Sequence, residues 1–168
     1  MATPTNLPAT FVAGDILTAA QMNNLRGAFR VLQVVQGIAV TQVDNSTNTL
    51  VNTGLTATIT PQSATSKILV MVNQAACSKT DGNLLNAIGL VLYRDATAIH
   101  NFSYYGLYTA TALQNRGSFS TSWLDSPATT SATTYKTMFR NDGGSFASVG
   151  VCNGSAAAAV ITLMEISA

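Results

Sequence analysis

The chain has 168 residues, enough for one domain with a substantial core. Its formal net charge is +1 and its basic residues are scattered, so the sequence predicts no binding to nucleic acid. Charged residues make up only 9% of the chain, against about 25% in average soluble proteins. Because surface charge opposes self-association, this composition favours a permanent oligomer.

The first residues, MATPTNLPAT, have neither the basic start nor the continuous apolar stretch of a secretory signal. The longest apolar runs, such as Ala156 to Met164, are much shorter than the ~20 residues that span a bilayer. We therefore expect no membrane insertion, and synthesis in a cytoplasm. In that compartment Cys77 and Cys152 are expected to stay reduced, although a single disulfide between them is an open alternative.

An amphipathic helix is predicted near the N-terminus, over Thr18 to Leu32. Thr18 and Gln21 have the spacing of a capping box, and the flanking apolar residues have that of a hydrophobic staple. Apolar residues then recur every three or four positions, which places them on one helix face. The residues assigned to attachment are Leu17, Met22, Leu25, Phe29 and Leu32.

This helix stands alone ahead of a body that is predicted to be all β, so its apolar stripe cannot pack into a helical core. It must lie on its own sheet, on a sister subunit or on another protein, and these three alternatives remain open. Residues 1–33, which include an extended arm at Met1 to Thr10, are predicted to be the attachment segment. Residues 34–168 are predicted to form the β-sandwich domain that this segment presents.

Short strands separated by turn signals are predicted along the rest of the chain. They cover Val34–Val43, Leu50–Thr60, Lys67–Val72, Ala87–Arg94, Ile99–Tyr105, Gly117–Leu124, Thr134–Arg140, Val149–Cys152 and Ala158–Ile166. A total of roughly eight to ten short strands suggests a sandwich or a jelly roll. No helical stretch separates successive strands, which argues against a parallel α/β sheet. The predicted fold is a mainly β, jelly-roll-like antiparallel sandwich with a short N-terminal helix.

No catalytic, cofactor-binding or metal-binding constellation is predicted. His100 is the only histidine, and no cysteine or histidine lies near it at zinc-ligand spacing. The sequence has no GxSxG motif, no phosphate loop and no dinucleotide fingerprint. Its seven acidic residues are scattered, and Asp81, Asp95 and Asp142 stand in turn contexts that favour aspartate for backbone reasons. We therefore expect a non-enzymatic protein.

Aromatic residues are the main candidates for binding a ligand. The four singled out for glycan contact are Tyr104, Tyr105, Tyr108 and Trp123. Aromatic faces stack on sugars, and tyrosine is enriched at binding surfaces. Alternating aromatic residues on strands are, however, more often core or subunit-interface residues. Glycan contact is therefore an alternative to a role in the core or at an interface.

Distinctive phrases run through most of the chain. It opens with LPATFVAGDILTAAQMNNLRGAFRVLQVV, and GLTATITPQSATSKILVMVN covers Gly54 to Asn73. The later phrases are LYRDATAI, LDSPATTSATTYKTMFRN and the terminal ITLMEISA. Together they resemble small virion proteins of tailed bacteriophages, which have an F-x-AG-x-x-LTAAQMN-x-LR opening and a GL…ITP-x-S-x-x-SKILV phrase in a fibre-like domain.

The resemblance implies a trimeric jelly-roll-like domain displayed on a virion, with its N-terminus tied to the capsid or tail. It carries no catalytic motif and assigns no site residues. We therefore predict a non-enzymatic virion structural protein, a homotrimeric capsid decoration, head fibre or short tail fibre. The N-terminal segment would attach it to other virion proteins. The alternative is a receptor-binding tail-fibre tip that recognises host surface glycans, and neither function needs a cofactor.

Overall fold

The computed structural model describes residues 31–80, 83–143, 148–152 and 157–167. Within these ranges the chain forms ten β-strands and no helix, and every strand pairing is antiparallel. The strands are β1 (Val31–Ala39), β2 (Val43–Asn45), β3 (Val51–Ile59), β4 (Lys67–Lys79), β5 (Ile88–Arg94), β6 (Thr97–Gly106), β7 (Asn115–Asp125), β8 (Thr133–Asn141), β9 (Val149–Val151) and β10 (Ala159–Ile166). The predicted mainly β, antiparallel protein is therefore confirmed.

The strands form two sheets. The six-stranded sheet has the order β1-β10-β4-β9-β2, and β7 also pairs with β4. The short strands β2 and β9 lie beside the end of β4, where β9 pairs with Ser78 and Lys79. The four-stranded sheet has the order β3-β8-β5-β6.

The two sheets pack face to face as a β-sandwich, and side chains alternate between its core and its surface. In β8 every second residue is buried, among them Tyr135 and Phe139. From the other sheet β10 buries Ile161 and Leu163, which join Tyr135 and Leu55 in one apolar cluster. The period of two in these segments follows from the pleat of a strand, and each such side chain contributes about 1.5–3 kcal/mol when fully buried.

Edge strands of the two sheets meet on both sides of the sandwich. On one side, β1 approaches β3 so closely that a Cβ atom on Gly37 would lie 1.9 Å from the carbonyl oxygen of Thr56. Glycine is required there because any side chain would collide with backbone. On the other side, His100 of β6 stacks on Trp123 of β7 with ring centroids 4.6 Å apart.

Polar side chains in the core join the two sheets. Thr137 Oγ1 of β8 donates to Gln74 Oε1 of β4 at 2.8 Å and shares a 2.5 Å hydrogen bond with Thr53 Oγ1 of β3. All three residues are buried. A buried polar group left without a partner costs about 1–3 kcal/mol, so these bonds favour one relative position of the sheets.

The structure corrects the C-terminal end of the predicted helix. β1 begins at Val31, so Leu32, which was assigned to the apolar stripe of the helix, lies in a strand beside β10. Pairing with β10 overrides the helical spacing at this residue, as tertiary contacts commonly override local propensity. The other attachment residues, Leu17, Met22, Leu25 and Phe29, lie outside the described residues, so the rest of the helix stays a prediction.

Each of the nine predicted strands overlaps a strand of the structure, but the bounds differ, most of all at β4 and at the first strand. The predicted strand at Lys67–Val72 corresponds to β4, which continues to Lys79 because β7 and β9 pair with its second half. The first predicted strand began at Val34, three residues after β1 begins. The alternative of a disulfide between Cys77 and Cys152 is contradicted, since both cysteines are free and buried.

Candidate functional site

The sandwich has two opposite ends, which β4 connects. At the start of β4, Lys67 pairs with Ile166, and Ile166 pairs with Val31, the first residue of β1. The N-terminal segment therefore joins the sandwich at this end, which we call the base. The 13 residues of β4 span about 40 Å at ~3.3 Å per residue.

The other end of β4 holds the β6–β7 loop, residues 107–114. The ammonium group of Lys79 donates to Thr109 Oγ1 at 2.6 Å and to the carbonyl oxygen of Thr111 at 2.7 Å. Lys79 itself is buried. A buried ammonium group needs such acceptors, so the loop is fixed against the end of β4. This end of the sandwich lies opposite the base.

Three tyrosines meet at this second end and form what we call the tyrosine tip: Tyr104, Tyr105 and Tyr108. The rings of Tyr104 and Tyr105 are in edge contact with centroids 4.9 Å apart, and those of Tyr105 and Tyr108 are 5.9 Å apart. Tyr104 is 75% exposed, and the other two are also exposed. Three aromatic rings in contact with solvent form an apolar surface with polar hydroxyl groups, which suits a polar ligand with apolar faces.

The backbone of the tip is held in an uncommon conformation. Tyr105 has a φ of 53° and Leu107 a φ of 62°, in the left-handed region that residues other than glycine seldom occupy. The amide of Tyr105 donates to Asp142 Oδ2 at 3.1 Å, while Asp142 Oδ1 accepts from Arg140 Nε at 2.6 Å. Left-handed residues cost about 1–3 kcal/mol each, so they persist only where neighbouring groups hold them.

Gly89 makes room for the carboxylate that supports the tip. A Cβ atom at this position would lie 2.3 Å from Asp142 Oδ2. From the sequence, Asp142 is recognisable only as a turn residue, and neither Lys79 nor Gly89 is distinctive. Their roles depend on contacts between distant parts of the chain, and nothing in their local sequence indicates them.

The structure separates the fourth predicted glycan residue from the other three. Trp123 lies opposite Val70 of β4, nine residues before Lys79, which is about 30 Å along the strand. Its ring stacks on His100 with an interplanar angle of 14°, and His100 Nε2 lies 3.1 Å from Thr121 Oγ1. Trp123 therefore covers the side of the sandwich between β6 and β7.

Other exposed apolar side chains surround the tyrosine tip. Leu113 of the β6–β7 loop is 71% exposed. Leu84 and Leu85 are also exposed, and only Asn86 separates them from Ala87, whose carbonyl oxygen accepts from the amide of Asp142 at 2.8 Å. The end opposite the base thus has a larger apolar surface than the three tyrosines alone.

Each carboxylate in the described ranges has a hydrogen-bond partner in the fold. The pairs are Asp44 with Gln42, Asp95 with the amide of Thr134, Asp125 with Arg94 and Tyr135, Asp142 with Arg140 and Tyr105, and Glu165 with Gln33 and the amide of Gln62. Four of these acids join parts of the fold, whereas the bond of exposed Asp44 is local. The described residues also contain no group of three or more His, Cys, Asp or Glu side chains that could hold a metal ion.

The two thiols are buried and protonated. Burial, together with a smaller contribution from the charge of a Cys152 thiolate, raises the pKa of Cys77 to about 12. Burial also raises the pKa of Cys152 above its ordinary value. Because the thiolate is the reactive form, neither cysteine is poised as a nucleophile.

No protein-family model and no curated protein is significantly similar to this chain. No helix in the described ranges has the length and the apolar character that crossing a membrane requires.

Proposed function

We propose that this chain is a non-enzymatic structural protein of a tailed-bacteriophage virion. In this proposal it is a homotrimeric surface protein, either a capsid decoration, a head fibre or a short tail fibre. Its N-terminal segment attaches to capsid or tail proteins, and the β-sandwich is displayed outward. The protein is made in the host cytoplasm and acts in the virion.

The observation that carries this proposal is the opposition between the base and the tyrosine tip. The chain enters the sandwich at Val31, at the base, and the exposed tyrosines lie at the other end of β4, about 40 Å away. A displayed protein needs this arrangement, because the attached end must face the particle while the free end faces solvent. The resemblance of the sequence to small phage virion proteins points the same way.

We also propose that the sandwich is a jelly roll. Without the three-residue strands β2 and β9, eight strands remain in two sheets of four, ordered β1-β10-β4-β7 and β3-β8-β5-β6. β5 and β6 pair as consecutive strands, whereas the other pairings join strands that are distant in the chain, such as β1 with β10 and β3 with β8. Such an order supports two Greek keys wound together, which is the jelly-roll arrangement.

Incorporation into particles tests the attachment role. Deletion of residues 1–30 removes the segment before β1 without shortening any described strand. The truncated protein should keep the β-rich circular dichroism spectrum of the full chain but should no longer co-purify with phage particles. Incorporation at the level of the full chain would contradict the proposal. Locating the full chain in an image reconstruction of intact particles would show whether it lies on the head or the tail.

The tyrosine tip supports a second candidate function, recognition of host surface glycans. Its three rings are exposed and in mutual contact, and aromatic faces stack on the apolar faces of sugars. On a glycan array Tyr104→Ala should lower binding about tenfold, the effect of losing one aromatic stack of ~1.4 kcal/mol. Trp123→Ala, far from the tip, is the control and should bind as the unchanged protein does. No binding by the unchanged protein would exclude this function.

A further inference from the structure

The two outer faces of the sandwich differ sharply in character. On the six-stranded sheet, paired residues form rows that cross β1, β10, β4 and β7. One row consists of Val34, Met164, Leu69 and Leu124, all apolar. Each of these side chains lies on the opposite side of its strand from the buried core residues. We call this surface the β4 face.

The neighbouring rows extend the β4 face without adding charge. The next row consists of Gln36, Thr162, Met71 and Ser122, and the one after it of Ile38, Val160, Asn73 and Ser120. Side chains at its margins are well exposed: Val34 is 54%, Ile38 60% and Leu124 57% exposed. Three successive rows across four strands thus contain no charged residue and seven apolar ones.

The outer face of the four-stranded sheet follows the ordinary pattern for a solvated surface. Its β8 residues are Thr134, Lys136, Met138 and Arg140, which alternate with the buried residues of that strand. The β3 residues beside them include Thr56 and Thr58, both exposed. Charged and hydroxyl side chains therefore lie among its apolar residues. The contrast shows that sequence composition alone does not explain the apolar β4 face.

The β4 face has the size of a subunit contact. Four strands at ~4.8 Å spacing give a width of about 19 Å, and the eight residues of β10 give a length of about 26 Å. The resulting footprint is about 500 Å², or about 1,000 Å² counted on two partners, which reaches the lower limit for a specific interface. Polar residues without charge interrupt the apolar ones, and patches of about this size are often functional.

We propose that the β4 face is the surface through which copies of this chain pack against one another. The inference rests on the proposed homotrimer and deepens it by naming the contact. We assign a second copy of this chain as the partner that covers the β4 face, because the face is uncharged and largely apolar, as the core of a homo-oligomer interface is. In a closed ring of three, the β7 margin of one copy meets the β1 margin of the next, a heterologous contact that three-fold rotation closes.

A matched pair of methionine substitutions tests the interface. Met164 of β10 and Met138 of β8 are both half-buried, outward-facing and on interior strands of their sheets, but they lie on opposite faces of the sandwich. The full chain should sediment as a trimer at low micromolar concentration. Met164→Glu should raise the trimer dissociation constant at least a hundredfold and give monomers, while Met138→Glu should remain trimeric. Circular dichroism confirms that both variants are folded.

A disulfide trap provides a second test that does not depend on a destabilising change. Val34 and Leu124 lie at opposite margins of the β4 face, three strand spacings or about 14 Å apart. Cysteines there cannot pair within one copy, because a disulfide needs Cα atoms within about 7 Å. The double variant Val34→Cys/Leu124→Cys should therefore give covalent dimers and trimers on oxidation. Asn52→Cys/Asn101→Cys, a matching pair on the other sheet, should give none.

The two tests distinguish a failure of the proposed interface from a failure of the proposed function. A trimer that survives Met164→Glu, without disulfide formation across the β4 face, would overturn this interface but leave the virion proposal intact. A full chain that is monomeric and forms no intermolecular disulfide would overturn both the interface and the homotrimer. The β4 face would then be assigned to a different occupant, such as the N-terminal segment of the same chain.

Discussion

Tyr135 and Asp125 connect the two sheets at the base of the sandwich. The Tyr135 hydroxyl, from β8 in the four-stranded sheet, donates a 2.7 Å hydrogen bond to Asp125 Oδ2 at the end of β7 in the six-stranded sheet. The same carboxylate accepts from Arg94 Nη1 at 2.8 Å. Burial, together with this hydrogen bond, raises the pKa of Tyr135 well above its ordinary value, so the phenol stays protonated as a donor.

Removing the carboxylate should therefore loosen the base. We expect Asp125→Ala to lower the free energy of unfolding by about 2–4 kcal/mol, because it leaves a partly buried guanidinium group and a buried phenol without their shared acceptor. Urea denaturation followed by circular dichroism measures this. Asp44→Ala is the control: Asp44 is exposed and bonds only to Gln42 among the described contacts, so the change should be within about 0.5 kcal/mol. Equal effects of the two substitutions would contradict the proposed role of Asp125.

Glu165 should make stability depend on pH in the acid range. Burial raises its pKa, but hydrogen bonds from Gln33, Ser66 and the backbone of Gln62 and Ser63 together outweigh this, and the pKa in the folded protein is lowered from 4.5. The unfolded chain therefore takes up a proton at higher pH than the folded one. The stabilisation is complete well above pH 4.5 and is lost as the pH falls through the lower, folded-state pKa.

Glu165→Gln should flatten that pH dependence. Unfolding free energies measured at several values from about pH 3 to about pH 7 should fall less steeply towards acid in the variant than in the unchanged protein. The variant should also be less stable at neutral pH, because an amide replaces the acceptor for Gln33 Nε2, which lies 2.6 Å from Glu165 Oε2. An identical slope in both proteins would show that Glu165 does not carry the effect.

The two cysteines should react only after unfolding. Cys77 has a pKa of about 12, and Cys152 has a raised pKa, so both are thiols at neutral pH, and both are buried. A thiol reagent should modify neither in the folded protein, apart from slow reaction through global opening, and both in urea. Mass spectrometry counts the modified thiols. Rapid labelling of Cys77 in native buffer would refute its burial.

Gly89→Ala should disturb the tyrosine tip without reaching the base. The added methyl group would lie 2.3 Å from Asp142 Oδ2 and displace the carboxylate that accepts from the amide of Tyr105. We expect a loss of about 1–3 kcal/mol in the free energy of unfolding, the usual effect of overpacking. Hydrogen exchange should show faster exchange of the Tyr105 amide. Asp142→Ala should accelerate the same amide, whereas unchanged exchange in both variants would contradict the contact.

Much of the strand pattern could be predicted from the sequence because the alternation of apolar and polar residues along a strand indicates which of its two sides is buried. β8 alternates apolar and polar residues over its whole length, and its buried positions are those the alternation predicts. β4 was predicted too short for the converse reason. Its second half contains Asn73, Gln74 and Ser78, polar residues whose places in the sheet depend on pairing with β7 and β9. Leu32 fits a helical stripe equally well, and only the pairing of its neighbours Val31 and Gln33 with β10 places it in a strand.

The candidate site was recognisable only in part. Tyr104, Tyr105 and Tyr108 are close in the chain, so local sequence was enough to group them, and the structure brings their rings together. Trp123 was grouped with them by residue type, but the strand register places it towards the base. No local signal could identify Asp142 as the acceptor for the Tyr105 amide, since 37 residues separate the two in the chain.

Sequence by itself determined the mainly β class, the positions of most strands and the low charge of the surface, because periodicity and composition are local properties. Only the tertiary structure decided which strands share a sheet, which end faces the N-terminal segment and which outer face is apolar. Those features arise from register between distant strands: Val34, Met164, Leu69 and Leu124 form one row only because three separate strand pairings align them. The spacing of these residues along the chain does not predict that alignment, because the alignment depends on strand pairings that form only when the sheets assemble.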